Sequence, residues 1–360
     1  MKETIHHLSH IDLDGYSCQF IMQYTPYNIT NYNANYGAEV KSKLDLIVES
    51  IKKNKQSALI LITDLNLTMD ESRWLNGEVA KMNTNNLDVE LVLLDHHGSG
   101  EDSARKYEWY FLDVERCATK ITYDYVKENF EFNEPEWMEK FVNIVNAVDL
   151  WKLDQPENFE YGKVCMRLVN ETRELNRVMF ANEDNAYKLS LLKEATKYVN
   201  EENAPIVLDE KIHGLKKDFF RTDADNTLDN LSTAYVVKLL GAKKDTHTIY
   251  YKGYRGYLSY GVGNTSIVGN GFLVAYPEYD FIVDVSYRGA MSLRANFKVS
   301  VAQISKEWAN GGGHPNAAGG RIQGFKEQYR YDKVKMQIEQ LIYDKESRAT
   351  VLEYKQETED

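Results

Sequence analysis

Cysteine is scarce. Cys18, Cys117 and Cys165 are an odd set with no CxxC spacing. That excludes a disulfide frame or a thiolate zinc knuckle and points to ordinary thiols in a reducing cytoplasm. Long apolar runs are also missing. Hydrophobic residues make up 43% of the chain, but no run approaches the roughly 20 residues a membrane helix needs. Met1 to Ser9 lacks the charged-then-apolar order of a signal peptide. There is no basic excess either: 43 Lys and Arg stand against 55 Asp and Glu, for a net charge of −12. Such a surface has no basic stripe for long duplex nucleic acid. A small anionic partner can still bind where cations are focused in a cleft. No Pro/Ser/Gly-rich linker, internal repeat or low-complexity tract divides the 360 residues, a length that accommodates two domains. Tyrosine, by contrast, is abundant at 25 residues; some could stack on bases, and the rest are packing.

What is present is organised around LVLLDHHGSG, Leu91 to Gly100. A buried-looking strand, Val89 to Leu94, stops abruptly at Asp95, His96 and His97, and glycines follow. Open α/β sheets place ligand sites just beyond the carboxyl ends of their strands. Three polar residues in a loop occur by chance, so the test is whether other strands deliver acids to the same edge. Two do. Thr4 to Ser9 reads as a strand running into His10-Ile11-Asp12-Leu13-Asp14-Gly15. In an extended chain His10, Asp12 and Asp14 line one face, with Gly15 turning into a helix from Tyr16 to Tyr24. Ala58 to Ile62 is a second apolar run, ending in Thr63-Asp64. Amphipathic helices are expected between them, at Lys41 to Lys53 and Ser72 to Met82. Strand and helix alternating at this spacing predict βαβ units in a mostly parallel sheet, with every strand end at one edge.

Further helices are expected at Ala118 to Asn129 and at Glu136 to Leu150, with Asp149 near the end of the latter. Residues from about Ala181 to Leu240 are charged and helical in pattern. Beyond Thr246 short aromatic and β-branched runs predict strands: His247 to Tyr251, Arg255 to Tyr260, Phe281 to Tyr287 and Ala290 to Phe297. Helices fall at Thr265 to Tyr276 and Val301 to Ala309. Then comes NGGGHPNAAGG, Asn310 to Gly320. Consecutive glycines suit a backbone that must approach a ligand closely, and free amides in such a loop cradle an anion. His314 adds a donor, and Arg294 on the preceding strand a bidentate fork. The fold class is therefore α/β: a mostly parallel N-terminal domain, residues 1–185, and a smaller α/β substrate-binding domain, residues 244–345. A helical region, 186–243, joins them, and a charged tail, 346–360, follows.

Three strand ends thus offer three histidines and four aspartates to one edge. Carboxylates crowded this closely resist ionisation unless cations lie between them. Two divalent metals remove that conflict, as in phosphoester hydrolysis with a bridging acid. Oxygen ligands with a few imidazoles favour Mn²⁺ or Mg²⁺, Mn²⁺ first.

Here the chain resembles the DHH phosphoesterase superfamily. The resemblance rests on HIDLDG at His10 to Gly15, ILITD ending at Asp64, LLDHHGSG around Asp95 to His97, and Asp149 in AVDLW. SLRAN at Ser292 to Asn296 and GGGHPNAAGG at Gly311 to Gly320 look like that superfamily's associated C-terminal domain. The resemblance implies roles. His10, Asp12 and Asp64 would hold one metal. Asp14, Asp64, His96 and Asp149 would hold a second, Asp64 bridging. Asp95 would orient a histidine or serve as an alternative metal ligand, and His97 would lie close to the scissile phosphate. Arg294, the amides of Gly311, Gly312 and Gly313, and His314 would grip substrate phosphates. His10 stands two residues before Asp12, whereas several branches have four, so its role is the one the resemblance specifies least.

The implied activity is hydrolysis of short oligonucleotides to mononucleotides by metal-activated water. The glycine–histidine segment argues against the pyrophosphatase and polyphosphatase branches, the length against a RecJ-type exonuclease, and the lack of a membrane segment against membrane-bound cyclic-dinucleotide enzymes. A nanoRNase-like enzyme remains. Its alternatives are a pAp phosphatase, a linear or cyclic dinucleotide phosphodiesterase, or an idle nucleotide-binding protein on the same fold. Expected partners are short oligonucleotides or small phosphorylated nucleotides, with no long duplex and no membrane; a homodimer is left open.

Overall fold

The computed structural model describes residues 2–357, with side chains described up to residue 347. It divides into two compact units: Met1–Arg173 with Ala181–Phe219, and Glu174–Phe180 with the chain from Phe220 onward.

The first unit begins β1 (Thr4–Ser9), α1 (Leu13–Met22), β2 (Asn28–Asn33), α2 (Ala38–Asn54), β3 (Ala58–Thr63), α3 (Met69–Thr84), β4 (Val89–Asp95), α4 (Glu101–Lys106), β5 (Tyr110–Leu112). Helices α5 (Ala118–Asn129), α6 (Met138–Asp149), α7 (Pro156–Asn170), α8 (Ala181–Ala195) and α9 (Ala204–Phe220) complete it. The five strands form one parallel sheet in the order β2-β1-β3-β4-β5. The apolar runs explain why. All six residues of β3 are buried: Ala58, Ile60 and Ile62 enter one core with α2 and α3, while Leu59 and Leu61 enter another with α1, α5 and α6. A strand apolar on both faces must be covered on both, the signature of a parallel sheet. Helix α3 starts at Met69, three residues before the expected Ser72, for chemical reasons. Thr68 and Glu71 form a reciprocal capping box that satisfies two orphan amides.

The order reverses at β1, which pairs with β2 on one side and β3 on the other. That is a topological switch point, where neighbouring connections leave in opposite directions and open a crevice beyond the strand ends. Ser9, Thr63 and Leu94 share one rung of the ladder, so the residues that follow them emerge level.

The second unit holds α10 (Leu228–Ala242), α11 (Lys244–His247), β6 (Thr248–Tyr251), β7 (Tyr254–Tyr260), α12 (Thr265–Ala275), β8 (Phe281–Val285), β9 (Ala290–Ala295), α13 (Val301–Ala309), β10 (Gly312–His314), β11 (Ala317–Arg321) and α14 (Tyr331–Glu357). Its six strands form a mixed sheet ordered β10-β11-β9-β8-β7-β6, with β7 and β8 parallel and the other pairs antiparallel. The helical stretch 186–243 is shared: α9 belongs to the first unit up to Phe219 and α10 to the second. The expected tail 346–360 is helical in α14 as far as Glu357; its last residues lie outside those described. Among the described residues no helix is long and apolar enough to cross a membrane.

Candidate metal centre

Every acid and imidazole expected at the first unit's strand ends converges there, though not all by the expected route. His10 leaves β1, but Asp12 and Asp14 do not continue an extended strand. The helix begins at Leu13, and Asp12 is its N-cap, its carboxylate accepting the Gly15 amide at 3.0 Å. A capping Asp satisfies a helix-start amide, which an extended segment cannot offer. Gly15 also serves differently from the turn expected of it. A Cβ there would lie 2.5 Å from the His10 carbonyl oxygen, so only glycine lets the helix start close over β1. Asp14 sits in the first turn and is buried. Its two oxygens accept the amides of Ala118 and Thr119, each at 2.8 Å. These are orphan amides at the start of α5, where a carboxylate is favoured by the helix dipole.

Asp64 follows β3 in the left-handed region, φ 56°. Asp is among the few non-glycine residues that adopt it readily. The bend folds the carboxylate back into the crevice, where the residue is 1% exposed. His96 faces it from the end of β4. His96 Nε2 lies 3.4 Å from Asp64 Oδ1, 3.6 Å from Asp149 Oδ2 and 3.7 Å from Asp14 Oδ2. His10 Nδ1 lies 2.9 Å from Asp12 Oδ2 and 3.6 Å from Asp64 Oδ2. Ligand atoms of His10, Asp12 and Asp64 form one close group, and those of Asp14, His96 and Asp149 another; Asp64 also closes on His96 and His97. Beside Asp12, Asp14 and Asp149 a cavity of about 110 Å³ is walled by Met166 and Asn170 of α7.

Asp95 and His97 do something else. Asp95 is fully buried and accepts from Tyr110 Oη at 2.6 Å and from His97 Nδ1 at 2.7 Å. With Nδ1 turned to Asp95, Nε2 pairs with Tyr36 Oη at 2.9 Å. The Tyr36 ring also lies against His10, centroids 4.6 Å apart. His97 is therefore pinned at both nitrogens, whereas His96 Nε2 looks into the carboxylates.

Electrostatics describe a site in need of cations. Burial, then repulsion from Asp12 and Asp14, pushes Asp64 well above the usual carboxylate range. Burial, then Asp14, raises Asp149 to about 8. Burial works against a charged His10, but Asp12 and Asp64 outweigh it and raise the imidazole to about 10. Burial likewise opposes the Asp12 charge, and His10 more than offsets it, bringing Asp12 down to about 2. Two buried carboxylate oxygens, Asp64 Oδ2 and Asp149 Oδ2, have no hydrogen-bond partner among the described residues, and His10 Nδ1 is paired with carboxylates, Asp12 and Asp64. Orphaned buried acceptors are costly. Nitrogen and carboxylate ligands without a thiolate fit Mn²⁺ or Mg²⁺; all three cysteines are buried and free.

Sequence reasoning missed Tyr36 and Tyr110, which are found only by their contacts with His97 and Asp95.

The residues expected to hold phosphate lie in the second unit. Arg294 on β9, Ala317 on β11 and His314 on β10 share one rung, so Arg294 and His314 point to the same face of the sheet. The Arg294 guanidinium donates to Ser266 Oγ at 2.6 Å and to its neighbour's carbonyl at 2.7 Å. The glycines form a hairpin and not an open loop. The Gly311 amide is committed to the Ser305 carbonyl at 3.0 Å, so it is not free for an anion. Gly312 and Gly313 lie in β10, an edge strand, and only amides on its outer side stay unpaired.

No family model matches the chain. A Helicobacter pylori protein named 3′,5′-cyclic-nucleotide phosphodiesterase is 44% identical over 342 residues, covering 94% of this chain and 98% of its own length. This chain belongs to the DHH phosphoesterase superfamily. It is accordingly a hydrolase of phosphoester bonds. The oligoribonuclease NrnB of Bacillus subtilis is 21% identical over 324 residues, 87% of this DHH phosphoesterase and 72% of the relative. Among solved structures, an uncharacterized protein from Helicobacter pylori superposes with a TM-score of 0.88 at 43% identity, covering 94% of this chain and 99% of that one.

Proposed function

We propose that this DHH phosphoesterase hydrolyses the phosphodiester bond of small nucleotides with two divalent cations, Mn²⁺ first. The observation that carries this is the two orphaned buried carboxylate oxygens, Asp64 Oδ2 and Asp149 Oδ2, each with an imidazole nitrogen 3.6 Å away, His10 Nδ1 and His96 Nε2. His10, Asp12 and Asp64 would hold one ion, and Asp14, Asp64, His96 and Asp149 the other. Bound there, the ions supply Lewis-acid polarisation and acidify water near neutral pH. The chain's own groups do the rest. Asp95, steadied by Tyr110, fixes the His97 ring so that Nε2 meets the scissile phosphate, displacing Tyr36 Oη. Asp14, locked to the start of α5, keeps the second group from collapsing onto the first. In the second unit Arg294, His314 and the one amide of Gly312 and Gly313 that faces outward hold a substrate phosphate.

The 44% identical relative favours 3′,5′-cyclic mononucleotides as the first substrates to test. NrnB favours short linear oligonucleotides as a second class, and pAp is a third. Buried free thiols agree with a reducing cytoplasm. The deciding experiment incubates the protein with Mn²⁺ and, separately, 3′,5′-cyclic AMP, pAp, a linear dinucleotide and a 24-mer. Mononucleotide product from one of the small substrates, lost in Asp64→Asn, is the expected result. Binding without product in every case would leave a nucleotide-binding protein on a hydrolase fold.

A further inference from the structure

Phe297 is out of place on ordinary folding grounds. It is 88% exposed, and no large hydrophobic residue among those described is more so. Its backbone is left-handed, φ 61°, a conformation phenylalanine adopts only under constraint. The strand expected to run through it ends at Ala295. Its ring meets no other ring among the described residues.

The constraint is visible. Asn316 Oδ1 accepts the Phe297 amide at 2.9 Å. The Asn316 carbonyl accepts from Ala295 at 3.1 Å, and the Pro315 carbonyl accepts from Val301 at 2.8 Å. Three hydrogen bonds therefore brace the Phe297 connection against the turn that directly follows His314. The ring is held out in water by a rigid support, not left there by a frayed loop. Its surroundings are polar: Asn296, Lys298, Gly312, Gly313 and His314 are all exposed, and Arg294 lies three residues back, within about 10 Å of chain. Among the described residues Arg294 has no carboxylate partner and His314 makes no side-chain hydrogen bond.

A protein partner would need a contiguous apolar core beneath it, and this patch has a single ring. One rigid aromatic beside anion donors is instead the composition of a single-stranded nucleotide platform, where a base stacks and its phosphate is held alongside. We propose that Phe297 is a nucleobase platform, and that its ligand is a linear di- or oligonucleotide with a phosphate on Arg294 and His314. This rests on the nucleotide phosphodiesterase reading and, within it, ranks a linear substrate, which has a phosphate besides the scissile one to place here, above a cyclic mononucleotide, which has none.

The test measures binding to the full-length protein without Mn²⁺, so that nothing is hydrolysed. The probes are a dinucleotide carrying 2-aminopurine and the same molecule lacking both bases. Wild-type protein should bind the dinucleotide about tenfold or more tightly than the abasic probe, with quenched 2-aminopurine fluorescence. Phe297→Ala should close that gap and abolish quenching at an unchanged melting temperature, and Phe297→Trp should restore both. A gap and quenching that persist in Phe297→Ala would overturn the platform, as would a wild type with no gap. A shift from dimer to monomer in Phe297→Ala, with the gap intact, would assign the ring to a subunit contact and overturn it too. If the gap behaves as expected but Mn²⁺ yields no product from any nucleotide, the hydrolase substrate reading fails while the platform stands.

Discussion

The two sheets handle polar chemistry in opposite ways. In the parallel sheet both faces are buried, so the only places for functional groups are the strand ends, and the switch between β1 and β3 gathers them. The groups end up buried and crowded, with carboxylates against carboxylates, a state that favours cations. In the mixed sheet the functional groups stand on a half-exposed face near the edge strand β10. Arg294 and His314 there need no counterion to be tolerated, because water reaches them. The proposed function assigns metal to the first arrangement and a soluble anion to the second. Buried charge makes the first sensitive to every neighbour, while the second tolerates change unless backbone closeness is involved.

Asp64→Asn should break the contrast most sharply. It should lower activity by at least about 10³-fold and abolish the rise in melting temperature on adding Mn²⁺. The metal-free variant should melt above the metal-free parent, since a buried acid that resists ionisation is gone. A metal-free variant that melts lower would contradict the crowding described for the parallel sheet.

Asp95→Asn should cost about 10–100-fold in kcat, with metal content kept, because it loosens His97 and is not among the proposed ligands. Metal analysis with single-turnover rates distinguishes this from ligand loss. Mn²⁺ affinity should also rise with pH. His10, raised to about 10 by Asp12 and Asp64, is protonated at neutral pH and must give up that proton to become a ligand. Titration calorimetry in buffers of different ionisation enthalpy should show proton release on binding; none would remove His10 from the ligand set.

In the mixed sheet the glycines should separate. A Cβ on Gly311 would meet Gly319 O and Ser305 Oγ at 2.3 Å, and one on Gly313 would meet Ala317 O at 2.5 Å, whereas one on Gly312 meets nothing within 4 Å. Alanine at 311 or 313 should destabilise by about 1–3 kcal/mol. Gly312→Ala should leave the melting temperature alone and raise KM a few-fold. Equal melting losses at all three would end the reading of Gly312 as kept free for a ligand.

The smallest effect concerns Asp284, buried on β8 and raised to about 6 by burial, against hydrogen bonds from Ser259, Val262 and Thr265. Its proton is held more tightly folded than unfolded, where an Asp titrates near 3.9. The penalty is absent below about pH 4, grows as pH rises to 6, and is full above that. It is at most about 3 kcal/mol and expected nearer 1 kcal/mol. Asp284→Asn should be the more stable protein at pH 7 and not at pH 4; the same melting difference at both would refute it.

Much of the catalytic half was legible because its signals are local. An apolar run ending in an acid marks a strand end, and alternation with amphipathic helices makes the sheet parallel. The N-cap at Asp12 was less legible, since a capping Asp and an extended Asp look alike in a row of letters. The strand expected through Phe297 was overextended for a similar reason: aromatic and β-branched letters favour a strand, and only Asn316, nineteen residues on, bends the chain away.

Order along the chain was enough to dictate alternating elements, strand ends bearing Asp64 and Asp95, and the glycine-rich edge, because hydrophobic period and backbone freedom are properties of neighbouring residues. Contacts at long range were settled only in three dimensions. Asp14 locks to α5 more than a hundred residues away, Tyr36 reaches His97, and Tyr110 steadies Asp95. Such partners are chosen by distance through space after the sheet has formed, and no local pattern encodes that distance.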